Sequence, residues 1–366
     1  MHSLAFVAGA TIVVATLWDA FETLVLPRTP GRRARFTWLF NRVSWRLWTA
    51  CAGRIRSQQQ RERFLSVYGP LSVFVLLTSW GAALVLGFAL LQWSQREALF
   101  NVDGTAHFFD DAYMSATTLF ALGLGDVAPK GRGGRLLVVA EIASSLVVLS
   151  MLFVYIPILY QSFVRREVRV TMLDARAGSP PTATEILRRL AQSGDVSRLE
   201  TFFADWERWC AELLESHLSY PAVGYFRSLH PRQSWIAALT AILDVASLVK
   251  VGVDGLSPSR AHVTFAIARH AVVDLAQVLA GPAPALADRL PPHELALVRC
   301  ELESVGLRPN RSRRGDQELI HLRQSYEPYI AALSARLRMP CPSWRAASRD
   351  PDNWQTSPVH HHGPLQ

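Results

Sequence analysis

Cysteine is scarce and scattered. Cys51, Cys210, Cys300 and Cys341 show neither Cys-x-x-Cys nor Cys/His ligand spacing, which excludes a zinc framework or a disulfide scaffold and reads as thiols in a reducing compartment. A Gly-x-Gly-x-x-Gly following a strand is missing, and so is a cyclic-nucleotide β-barrel pattern, so the common nucleotide-reading regulatory domains are not indicated. His217, His230 and His270 are far apart, and no nucleophile–base pair stands out. The expectation is therefore no catalytic residue, no metal, no cofactor and no enzyme. A basic n-region is absent at the N-terminus, and Asp19 and Glu22 stand where a signal-peptidase site needs small neutral residues, so the first apolar run is read as an anchor that stays. Acid is nearly absent from one stretch: between Pro27 and Gly69 ten arginines meet a single Glu62.

What the chain has in quantity is apolar surface. Half of its 366 residues are hydrophobic, against a formal charge of +8. Three runs reach the roughly 18–20 apolar residues that a bilayer span needs: Leu4 to Leu26, Pro70 to Trp93, and Leu136 to Phe163. Arginine bias orients them. The Pro27–Gly69 segment is basic, Arg165, Arg166 and Arg169 follow the third span, and the Ser94–Gly134 loop is net acidic. The N-terminus is expected outside and the C-terminal half in the cytoplasm, at the plasma membrane. The same bias accounts for the arginine block without nucleic acid. Within residues 27–69, Arg35, Arg42 and Arg46 share one helical face while Phe36, Phe40, Val43 and Leu47 cluster away from it. That pattern fits an interfacial helix meeting anionic lipid or a helix packed on the soluble domain.

Between the second and third spans lies Ala121-Leu122-Gly123-Leu124-Gly125-Asp126. Non-helical backbone at membrane depth is tolerated only where protein buries it or it lines a wet cavity, so a Gly-x-Gly loop there is a candidate pore lining with main-chain carbonyls as ion ligands. Asp110 or Asp111 is the expected N-cap of a short helix before it, whose C-terminal dipole end favours a cation.

Residues Tyr113 to Asp126, Y-M-S-A-T-T-L-F-A-L-G-L-G-D, resemble the pore helix and selectivity filter of the potassium-channel pore-loop superfamily, which includes bacterial two-pore-domain-like ion channel proteins. The flanking spans correspond to its outer and inner helices, so the likeness covers about residues 71–163. The resemblance implies backbone ion ligands at Ala121, Leu122, Gly123, Leu124 and Gly125, with Tyr113, Thr118, Asp126 and Glu141 in support. It also implies potassium as the permeant ion and a homotetramer, because one chain offers one loop. Phe120 and Ala121 replace two threonines of the usual pattern, and Leu124 replaces an aromatic. Reduced selectivity, or a non-conducting sensor or scaffold with a pore-like fold, is the alternative.

Glu141 is expected to bond filter backbone or share a proton with Asp126, the other reading being a pair with Arg135 or Lys130. Where the family often has a hinge glycine this chain has Ser144 and Ser145, and Pro157 is a candidate kink or gate. Asp19 and Glu22, intramembrane acids, either pair with Arg28 and the interfacial arginines or sense protons.

After Gly178-Ser179-Pro180-Pro181 the pattern becomes soluble and helical, with five or six helices expected. An unknown regulatory ligand is expected there, and the segment Tyr225–Pro231 is rich in recognition-type residues. The fold class is an all-α membrane protein: three transmembrane helices, one re-entrant pore loop and a helical cytoplasmic domain. The segments are 1–26, 27–69, 70–163, 182–338 and a disordered tail, 339–366, that includes His360, His361 and His362.

Overall fold

In a computed structural model the described residues are 2–26, 36–95, 99–101, 107–192, 197–230, 232–254, 256–281, 288–346, 352 and 355. Arg28, Arg35 and the three tail histidines lie outside them. The chain forms two compact units, which part between Tyr160 and Gln161. The second unit thus takes in the end of the third long helix, and the boundary expected at residue 182 moves to 161.

The first unit comprises α1 (His2–Leu24), α2 (Phe36–Ala52), α3 (Gln58–Trp93), β1 (Leu99–Asn101), α4 (Phe108–Leu119), β2 (Val127–Pro129) and the first part of α5 (Gly131–Ala177). Helices α1, α3 and α5 are long and apolar enough to cross a membrane. Two of them outrun the expected spans. At 1.5 Å per residue α3 is about 54 Å long and α5 about 70 Å, against roughly 30 Å of hydrocarbon. Helix α3 starts at Gln58, where Ser57 Oγ accepts the Gln60 N–H, and passes through Pro70. Helix α5 likewise runs through the exposed Pro157 without a break, because a proline removes a single ladder bond that neighbouring turns can carry. It stops at Gly178, whose φ of 78° suits a left-handed helix end.

Helix α1 meets α3 backbone to backbone. A Cβ on Gly9 would stand 2.6 Å from the Gly87 carbonyl, and one on Gly87 2.7 Å from Val13. Small residues allow that approach, and close packing is what associates helices in lipid, where hydrophobic burial gives no drive. Val13, Leu84, Phe88, Leu91, Leu119 and Val148 form the core where α1, α3, α4 and α5 meet. Helix α2 lies on α3 through aromatic contacts: Trp48 stacks on Phe64 at 4.3 Å and Trp45 sits edge-on to Tyr68 at 4.6 Å. This leaves Phe36, Leu39, Val43 and Leu47 exposed beside Arg42 and Arg46. Packing on the helix of its own unit, an arrangement the arginine pattern did not suggest, decides which face is buried.

The second unit contains α6 (Ala183–Gln192), α7 (Ser197–Ser219), a 3-10 turn (Pro221–Tyr225), α8 (Trp235–Val251), α9 (Pro258–Leu279), α10 (Pro292–Glu303), α11 (Arg313–Gln324) and α12 (Glu327–Leu337). Among the described residues that is seven α-helices beyond α5, more than the five or six expected. The additional break falls between α11 and α12, where Ser325 and Tyr326 interrupt one apolar pattern. Helix α8 is buried from Trp235 to Val249, as befits a helix apolar all round. Its one acid, Asp244, is fully enclosed and accepts from Arg289 Nη2 at 2.6 Å and the Tyr326 hydroxyl at 2.6 Å.

The tail expected to be disordered from Met339 is packed at least to residue 346. Met339 and Trp344 are buried. The Trp344 carbonyl accepts from Thr184 N at 3.2 Å, and both Arg289 and Arg323 lie 5.8 Å from its ring. A tryptophan near two guanidiniums gains cation–π attraction on top of burial.

Just past the apolar part of α5, Arg166 is wholly enclosed. It donates to the Val223 carbonyl at 3.0 Å, the Phe226 carbonyl at 2.9 Å and Glu167 at 2.9 Å, and its Nη1 faces His217 Nε2 at 3.2 Å. Burial and the adjacent guanidinium hold His217 well below the usual imidazole range. The native state therefore keeps His217 neutral while the unfolded chain protonates it near pH 6.5. Stability from this site is fully present above the ordinary imidazole range and falls as the pH is lowered through and below about 6.5, because the unfolded chain then binds a proton that the native state refuses. Thermal unfolding of the full-length protein between pH 7.5 and 5 should show this slope, and His217→Gln, which keeps an acceptor for Arg166, should remove it. Equal slopes in both proteins would exclude His217 as the source.

Candidate ion pathway

Helix α4 begins earlier than expected. Its N-cap is His107, and Asp110 occupies the third helical position, where its carboxylate accepts the His107 N–H at 2.7 Å. The expected caps Asp110 and Asp111 are both inside the first turn, where carboxylates meet the positive end of the helix dipole.

The other end of α4 is closed by the loop itself. Ala121 N donates to the Thr118 carbonyl at 3.0 Å and Leu122 N to the Thr117 carbonyl at 2.8 Å, with Ala121 left-handed at φ 54°. This is the paired hydrogen-bond arrangement of a Schellman helix end, where glycine is the usual left-handed residue. Ala121 thus has a structural duty besides any carbonyl it offers. A β-branched threonine at this φ would be more strained than alanine, which gives a backbone reason for the missing hydroxyl. These two carbonyls thereby already accept N–H groups at the C-terminal end of α4.

Gly123 and Gly125 follow at φ 55° and 80°, and a Cβ on either would meet nothing within 4 Å. Phe120, Leu122 and Leu124 are all exposed. The loop is held at its two ends and bare between them. At its C-terminal end Asp126 accepts the Val127 N–H at 3.1 Å and lies by the Tyr113 hydroxyl. Beyond it β2 pairs antiparallel with β1, Leu99 opposite Pro129, a two-stranded ribbon absent from the all-α expectation. Thr118 contributes its carbonyl to the N-terminal end of the loop.

Glu141 is buried behind α4. Its Oε1 is within hydrogen-bond distance of the Ser115 hydroxyl and its Oε2 accepts from Gln92 Nε2 at 3.5 Å; these partners stand in place of the filter backbone, Asp126, Arg135 and Lys130 that sequence suggested. Ser115 Oγ also lies 3.0 Å from the Val85 carbonyl. Ser145, one turn along α5, is buried with no hydrogen-bond partner for its hydroxyl. Gln92 and Ser115 were not legible as site residues, although a glutamine within an apolar span is a signal that burial needs a partner.

Asp19 binds neutral donors: Thr37 Oγ1 at 2.7 Å, Thr37 N at 3.4 Å and Trp80 Nε1 at 2.9 Å. One carboxyl group thereby ties α1 to the first turn of α2 and to α3. Arg28 lies outside the described residues, and the described partners of Asp19 are not arginines. Glu22 is buried one turn on. Loss of Asp19 leaves the Trp80 indole N–H unmatched, at about 1–3 kcal/mol, while the Thr37 hydroxyl keeps Thr23 Oγ1 at 3.1 Å.

Residues 72–162 match the family described as Ion channel. This part of the chain is an ion-channel-like pore domain, set in a membrane protein. The chain is also 23% identical over 262 residues to an uncharacterized membrane protein, YdjJ, of Bacillus subtilis (strain 168), covering 70% of this chain and 73% of the relative. No solved structure matches.

Asp19→Ala should lower the thermal stability of the purified protein by about 1–3 kcal/mol, whereas Asp19→Asn, which keeps one acceptor oxygen, should lose less. An unchanged melting temperature in Asp19→Ala would show that the three-helix junction is held by packing alone.

Proposed function

We propose that four copies of the chain enclose a potassium-conducting pore whose filter is the backbone of Ala121, Leu122, Gly123, Leu124 and Gly125. The observation that carries the reading is the left-handed backbone at alternate residues 121, 123 and 125, in an exposed stretch pinned at both ends between two long apolar helices. Such alternation is what a ladder of carbonyls aimed to one side requires, and main-chain carbonyls are the ligands that replace a potassium ion's hydration shell. One chain supplies one face of such a ladder, so cyclic symmetry closes it. The bare Leu122 and Leu124 side chains are consistent with surfaces that other copies cover.

Ala121 supplies no hydroxyl to an innermost site, which favours weaker discrimination against sodium than a threonine-lined filter has. The pore faces the outside with its Asp126 end, the N-terminus is outside, and the helical unit is in the plasma membrane's cytoplasmic shadow, following the arginine bias. The exposed apolar row of α2 with Arg42 and Arg46 suits a helix seated among anionic headgroups. The helical unit is read as regulatory. In support, α5 is one uninterrupted helix and Arg166 on it is gripped by the Val223 and Phe226 carbonyls, so a ligand that moved the 3-10 turn would pull on the inner helix.

Purified protein in liposomes should pass potassium faster than sodium and be blocked by barium, while Gly123→Ala, which puts a Cβ on a left-handed residue, should abolish flux with the protein still assembled. Tetramers that carry no cation under any condition would favour the non-conducting scaffold instead.

A further inference from the structure

Ser115 poses a proton-counting problem. Its hydroxyl has one hydrogen, yet Oγ lies within bonding distance of two acceptors, the Val85 carbonyl at 3.0 Å and Glu141 Oε1. One proton serves one of them. We propose that the second proton belongs to Glu141: its side chain is a carboxylic acid that donates from Oε1 to Ser115 Oγ, while Ser115 donates onward to the Val85 carbonyl and Glu141 Oε2 accepts from Gln92 Nε2. The chain of donors then runs in one direction, from α5 through α4 to α3, and both contacts of Ser115 are hydrogen bonds.

The surroundings agree. Glu141 is 1% exposed. Facing it from α3 is the Gln92 amide, and from α4 the Ser115 hydroxyl, both neutral. The buried acid of α4, Asp111, is one turn before Ser115, and on α5 Arg135 is exposed while Ser145 follows one turn on. Among the described residues no cation contacts the carboxyl group. An ionised carboxylate with only neutral donors, on a helix that crosses a bilayer, has nothing to offset its desolvation, whereas the acid carries no charge to desolvate.

Glu141 is thus a positioning residue: it touches no permeant ion, and through Ser115 it sets where α4 stands and so where the loop at its end begins. Deprotonation replaces the Oε1 donor with a second acceptor facing Ser115, which then has two acceptors for one hydrogen, so one of the two links that hold α4, to α5 or to α3, is lost.

The proton itself is read by infrared spectroscopy on the full-length protein, without reference to conduction. A carboxylic-acid C=O band should be present at neutral pH, be missing in Glu141→Gln, and shift in Ser115→Ala, where the acid loses its acceptor. Only carboxylate bands assignable to Glu141 at neutral pH would overturn the proposal, as would a band unmoved by Ser115→Ala. The positioning role rests on the proposed channel function and is read by liposome potassium flux. Wild type should lose flux several-fold on raising the pH into the alkaline range, whereas Glu141→Gln, whose amide donates to Ser115 and accepts from Gln92, should match wild type at neutral pH and stay flat. Equal alkaline loss in both would overturn the positioning role. Absence of flux in wild type at any pH would count against the channel reading, and the infrared result would still decide the protonation.

Discussion

Everything in the membrane unit follows from a short run of non-helical backbone, residues 120–126, set among helices made for lipid. A bilayer offers no hydrogen bonds, so such a run persists only if its groups are satisfied by protein or face water. The chain satisfies the start of the run by returning the N–H groups of Ala121 and Leu122 to the Thr118 and Thr117 carbonyls. It satisfies the end of the run through Asp126 and the β1–β2 ribbon. What lies between has no intramolecular cover, and that uncovered centre is the part that an ion and other copies of the chain would complete.

Holding the loop means holding α4, and α4 is gripped from behind by a neutral polar cluster, Glu141, Ser115 and Gln92, in place of an ion pair. A buried ion pair needs full compensation of two desolvated charges, while a chain of neutral donors and acceptors needs only matched protons. The same economy recurs at Asp19, where hydroxyl, amide and indole donors do the work that arginines were expected to do. In the second unit the choice is reversed. Arg166 is buried there and Arg289 is partly enclosed, each with several acceptors.

Much of the candidate site was legible in the sequence, because spans, arginine bias and a fourteen-residue motif are local patterns. The three long helices, the pore helix and the alternate left-handed glycines needed no knowledge of distant contacts. Partners across helices were not legible. Asp19 was matched to the nearest arginines along the chain, whereas its partners are Thr37 and Trp80, the latter sixty-one positions away. Glu141 was matched to the filter, whereas packing brings Gln92 and Ser115 to it. The tail from Met339 reads as polar and proline-rich, yet Trp344 is buried beside Arg289 and Arg323, residues that no periodicity connects to it.

The sequence by itself determined that this is a membrane chain with a pore-loop segment and a separate helical half, since those are consequences of apolar run length, charge asymmetry and glycine placement. Only the tertiary structure decided why Ala121 stands where threonine is usual, which side of α2 is covered, and what each buried acid binds. Those depend on φ at one residue and on a few ångströms between helices, and neither is encoded in spacing along the chain.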